Sequence, residues 1–215
     1  LLRKNPENIE LYMLLGEIYL RTNDLERLDN LIDQMQTKFE GMDDVLLLQT
    51  RKWIQEEKFS LITTINTENS GLKFYQSILL AMQNDQEGAK QGFIDLFGDE
   101  LDSDFTIKVN DFIAIYDEFG SLKEGKNAHL FALFSKVLAK HNEALLAKQF
   151  ADLAIKEEIS YIDAWVLRGY SFFLMQDYET ALKDFQHAHQ MDPTRPESTY
   201  FLGLTLYELD RFEES

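Results

Sequence analysis

The sequence predicts an all-α fold, an α-solenoid of antiparallel helix hairpins, on three observations. The 215 residues include 10 Gly and 3 Pro, too few breakers for a many-stranded fold. Apolar and small residues recur at i, i+4 and i+7: Trp165, Gly169 and Phe172 share one helix face, as do Ala181, Phe185 and Ala188. That double pattern returns at a stride of 34 residues, so each hairpin buries its stripe against the next.

In chain order, Leu1 to Pro6 reads as a helix end with its proline stop, so residues 1–8 are expected to be the tail of a preceding repeat. Residues 9–42 form a unit with Tyr12, Leu15, Gly16 and Tyr19 on the first helix. Asn23-Asp24 mark its turn and Leu28, Ile32 and Met35 its second helix, Leu28 standing where a small residue is expected. Residues 43–69 read as a short unit, with a helix through Trp53 and a clipped second helix over 59–65. Residues 70–103 carry Ser77 in the glycine slot, Asn84-Asp85 at the turn and Ala89, Phe93 and Leu96 behind it. Residues 104–127 are a second short unit with one helix, 105–119, and a Gly-bounded connector. Residues 128–161 carry Phe131, Phe134 and Ser135, then Ala147, Ala151 and Ala154; 162–195 follow in the same register. The unit 196–215 stops in mid-pattern, and the chain reads as a section of a longer array. Asp24, Asp85 and Asp177 are expected to cap second helices, each contributing about 1 kcal/mol. Gly169 costs about 1 kcal/mol relative to Ala inside a helix, which points to close approach by a neighbouring helix backbone.

The stretch "DAWVLRGYSFFLMQDYETALKDFQHAHQMDP", with Trp165, Gly169, Phe172, Ala181, Phe185, Ala188 and Pro193, resembles the tetratricopeptide repeat. The resemblance is clear over 9–41 and 128–215, weaker over 70–103 and faint elsewhere. It implies a right-handed superhelix whose first helices line a concave groove. It also implies that ligands meet first-helix positions two, five, nine, twelve and thirteen. In this chain those positions offer Phe74, Ile78 and Met82; Val166, Tyr170, Phe173 and Leu174; and Tyr200, Leu204 and Tyr207. Packing of the same residues as internal core is the competing expectation. The lysine, asparagine and arginine clamp that holds chaperone tails in some relatives is not matched: Met13, Glu17, Asp163, Glu197 and Phe201 occupy the relevant positions, and Lys136 with Lys140 do not make one. No groove-asparagine ladder of the oligopeptide-sensing type appears either.

Charge and motif content narrow the function. A net charge of -17 and pI near 4.6 disfavour nucleic acid and anionic membranes and favour a basic or amphipathic protein or peptide partner. No apolar run approaches the roughly 18 residues needed to cross a bilayer, so direct membrane insertion of this segment is not expected. With no cysteine, disulfides and thiolate chemistry are excluded and a reducing, cytoplasmic setting is preferred. "GSLKEGKN" (120–127) misses the phosphate-loop pattern at Asn127 and reads as a connector. His187 and His189 point about 200° apart on a helix, away from a shared metal, and the runs Asp99 to Asp104 and Glu213-Glu214 read as solvated faces. No catalytic, cofactor or metal residues are assigned. The expected function is a non-catalytic scaffold that binds a partner's peptide or helix in an apolar, aromatic groove with an acidic surround. Two alternatives stand beside it: the targeting or regulatory arm of a larger enzyme, and a self-assembling, homo-oligomeric array.

Overall fold

The computed structural model of the protein describes residues 5–98, 103–121 and 126–210. Among these every regular element is a helix and there is no strand. The chain divides into two compact units, Leu1–Asp99 and Glu100–Ser215.

The first unit contains α1 (Ile9–Arg21), α2 (Leu25–Lys38), α3 (Asp43–Gln55), α4 (Phe59–Thr63), α5 (Ser70–Met82), α6 (Gln86–Asp95) and a 3-10 turn, Leu96–Gly98. α1 packs on α2 and on α3, and α3 packs on α4 and on α5. Leu28, Leu31, Ile32 and Met35 of α2 form the buried stripe at i, i+3, i+4 and i+7. Leu28 is accommodated as core, fully buried despite standing where a small residue was expected. Gly16 of α1 has no side chain because Leu48 of α3 fills that space: a Cβ there would lie 2.7 Å from both Leu48 methyls. In the α5–α6 hairpin, Ser77 faces Gly92, whose added Cβ would meet the Ser77 hydroxyl. Phe74 and Phe93 pack edge to face there, centroids 5.7 Å apart.

The second unit contains α7 (Ser103–Gly120), α8 (Asn127–Lys140), α9 (Ala144–Glu157), α10 (Ile162–Leu174), α11 (Tyr178–Met191) and α12 (Pro196–Glu208). From α8 onward each helix packs on its successor, and α8–α10 and α10–α12 pack as well. Ser135 on α8 donates its hydroxyl to the Ala147 carbonyl of α9 at 2.8 Å, and Phe134 stacks on Phe150 with centroids 4.8 Å apart. Ala147, Ala151 and Ala154 give α9 the low profile that this approach requires. At Gly169 the expected close neighbour is not a helix backbone but a ring. An added Cβ would lie 2.8 Å from Phe185 of α11.

One backbone device closes every hairpin. Asn23, Glu57, Asn84, Asn142, Gln176 and Asp210 all have φ between 53° and 67°, a left-handed conformation that terminates the preceding helix. After the first five, the next residue donates its N–H back five positions, to the Tyr19, Trp53, Leu80, Leu138 and Phe172 carbonyls, at 2.8–3.0 Å. Asp24, Asp85 and Asp177 then cap the following helix by accepting from the amides of Arg27, Gly88 and Thr180. Asn23 to Glu57, Asn142 to Gln176 and Gln176 to Asp210 are each 34 residues apart, whereas Glu57 to Asn84 is 27. The shortfall is taken by α4, five residues where α2 has fourteen. Its carbonyl end is closed from outside: the Gln76 amide of α5 donates to the Ile62 and Ile65 carbonyls at 2.9 and 2.8 Å.

Two charged clusters fasten the second unit. Arg168 of α10 makes a bidentate pair with the buried Asp184 of α11, 2.7 Å at each nitrogen, and reaches Asp152 of α9 at 3.0 Å. Its guanidinium lies 4.6 Å from the Trp165 ring centre. The single helix α7 packs on α8 through Val109, Phe112 and Ile115. It is pinned by Lys108 to Glu143 and by Asp111, whose Oδ2 accepts from Lys140 and His141, all at 2.7 Å. Burial pushes the Asp111 carboxyl up, but the Lys140 and His141 hydrogen bonds and charges outweigh it and hold it below the ordinary carboxylate value.

Three outcomes follow for stability. Gln176→Asn should stabilise by about 0.5 kcal/mol, since Asn tolerates the left-handed region better; a higher denaturant midpoint at unchanged slope is the check. Arg168→Ala strands the buried Asp184 and should cost about 2–4 kcal/mol in chemical denaturation, partly recovered by adding Asp184→Asn. Because Asp111 ionises below its ordinary value, its contribution is present above that value and lost as pH falls through the folded one. Asp111→Asn should thus lose about 1–3 kcal/mol at neutral pH. The gap should narrow in strong acid, and denaturation curves across that range would expose a gap that does not.

Candidate protein-interaction face

The ten groove candidates have different fates. Phe74 and Ile78 of α5 are 1% and 0% exposed, and Val166 of α10 is 7% exposed. These three are core in this structure and do not line a surface: helix register sets the direction of a side chain but not what packs over it. Met82 is half-buried at the end of α5 in the first unit. The other six lie on α10 and α12 in the second unit. Tyr170, Phe173, Leu174 and Leu204 are half-buried there, while Tyr200 and Tyr207 are 65% and 60% exposed.

Phe201, also on α12, links the two helices. It stacks on Phe185 of α11 with centroids 5.3 Å apart, and Tyr170 and Tyr200 lie 5.1 and 5.2 Å from it. Phe173 meets Tyr178 edge to face at 5.2 Å. In the sequence Phe201 stands out only as a residue that breaks the clamp pattern. Its role depends on a contact between helices, for which spacing along one helix carries no signal.

The electrostatic frame is acidic. Residues 162–210 contain eight carboxylates and three Lys or Arg. Arg168 is occupied by Asp184 and Asp152. Arg195, the residue before α12, pairs with Asp163 in the first turn of α10 and lies 3.4 Å from Glu197. The exposed Glu208 has no cationic partner among the described residues. On the neighbouring α8, Lys140 is paired with Asp111, and Lys136 is exposed one turn away.

The histidines are dispersed. His129 is 2.7 Å from the Tyr161 hydroxyl, His141 bonds Asp111, the His187 ring is 4.1 Å from that of Trp165, and His189 is 3.4 Å from Thr199. Among the described residues no group of His, Cys, Asp or Glu is arranged to hold a metal ion, and no helix is long and apolar enough to cross a membrane. Residues 122–125 of the "GSLKEGKN" stretch, residues 99–102 of the acidic run, and 1–4 and 211–215 with Glu213-Glu214 lie outside the described residues.

Among solved structures, the chain is similar to the NMR structure of the first TPR domain of the human RPAP3 protein. The identity is 18% over 68% of this chain and 96% of that one, with a TM-score of 0.39. No curated protein matches the chain. Residues 162–195 match the family model for the tetratricopeptide repeat. They span the α10–α11 hairpin, in which Phe185 lies against Gly169 and Asp177 caps the second helix. That hairpin is thus similar to a tetratricopeptide repeat, as its sequence pattern indicated.

Proposed function

We propose that the protein is a non-catalytic interaction scaffold and that the outward face of α10 and α12 binds a segment of a partner protein. Repeats of this family generally mediate protein–protein contact. The observation that carries the reading is the exposure of Tyr200 and Tyr207, 65% and 60%, beside the half-buried Tyr170, Phe173, Leu174 and Leu204. Large aromatics left in water on one face are the kind of anchor that burial against a partner rewards, at about 1.5–3 kcal/mol for each side chain fully covered. The acidic frame selects a basic or amphipathic segment, bound more weakly as salt rises.

Affinity capture with the intact protein and with Tyr200→Glu tests this reading. Tyr200 is exposed, so the variant should keep its helical circular dichroism and melting temperature while capture of the wild-type partner set falls by about tenfold or more. Equal capture by both proteins would remove α12 as the binding surface.

A further inference from the structure

The α3–α4 hairpin of the first unit holds its second helix differently from the others. α2 buries Leu28, Leu31, Ile32 and Met35, whereas α4 buries Ile62 alone. Around it Ser60, Leu61, Thr63, Thr64 and Asn66 are exposed, and Phe59 and Ile65 are half-buried. A single turn of helix has no cooperative length to draw on. Its carbonyl end is instead closed by one side chain of another helix, the Gln76 amide of α5, which donates to Ile62 at 2.9 Å and to Ile65 at 2.8 Å.

The helices on either side have support of their own. α3 buries Val45, Leu48 and Ile54, and α5 buries Leu72, Phe74, Ile78 and Leu79. α3 and α5 also pack on each other directly, so their contact does not pass through α4. A segment with one buried side chain, exposed flanks and an end satisfied by one amide lies at the low end of local stability, and its neighbours lie well above it.

We propose that α4 is a releasable latch: residues 59–65 open while α3 and α5 stay folded, and the Gln76 amide sets how often they do. Opening withdraws Ile62, fully buried in the closed form, and uncovers the apolar seat it fills beside α3 and α5. The device lies in the first unit and does not rest on the docking face proposed for the second.

Hydrogen exchange of the intact protein tests this, read at the Leu61 and Ile65 amides, which donate to the Lys58 and Ile62 carbonyls, and at amides inside α3 and α5. In the wild type the α4 amides should exchange faster than those of α3 and α5. Their rate should also hardly change in low urea, since a local opening exposes little surface. Gln76→Glu keeps the length of the side chain, but its carboxylate has no proton to donate at neutral pH. It should speed exchange in α4 by about tenfold or more and leave α3 and α5 unchanged. Gln76→Met, which lacks both donor and charge, should do the same. Exchange of all three helices in step in the wild type, with one urea dependence, would overturn the local opening. Variants that leave α4 exchange unchanged, or that speed all three helices alike, would overturn the role of Gln76.

Discussion

Close approach between helices, made possible by a missing or minimal side chain at one recurring place, is the constraint on which each unit depends. Phe185 can lie flat against α10 because Gly169 presents only its backbone, and Leu48 can enter α1 because of Gly16. The same place is solved differently elsewhere. Ser135 turns the contact into a hydrogen bond to the Ala147 carbonyl, and Ser77 is met by a glycine on the facing helix. The chemistry of the slot therefore varies while its size does not, as expected of interiors packed to near-crystalline density. Phe134, Phe150 and Phe185, all fully buried, can be as large as they are because their neighbours at these crossings are small.

The charge distribution follows from the same architecture. Cations are drawn inward to join helices: Arg168 binds carboxylates on both α9 and α11, Arg195 ties α12 to α10, and Lys52, on α3, pairs with Asp29 on α2. Basic residues used this way are partly withdrawn from the surface: Lys52 is buried, and Arg168 and Arg195 are half-buried. The surface is acidic partly because its counterions are employed as joints.

Local signals were legible in the sequence and cross-helix ones were not. The caps at Asp24, Asp85 and Asp177 could be read directly, because an N-cap is satisfied within three residues. Asn23 and Asn84 marked their turns, since Asn enters the left-handed region readily. Glu57 adopts the same conformation without that signature, so the break between α3 and α4 was legible from the two helix patterns and not from the turn residue. The burial of Phe74, Ile78 and Val166 is a property of what covers them, and the pairing of Arg168 with Asp184 joins residues on separate helices. Tyr200 and Tyr207 stand clear on helix positions that the resemblance indicated, but only their exposure in the structure separates them from the buried candidates.

The amide that closes α4 belongs to a residue not yet made when α4 is. Five residues are too few for a helix to persist alone in water, and the carbonyls of Ile62 and Ile65 wait for Gln76. During synthesis these two carbonyls lack their amide until the following helix has been added, so the end of α4 is completed from downstream to upstream. A protein cut between α4 and α5 would therefore leave the Ile62 and Ile65 carbonyls without that amide, as well as losing everything after the cut.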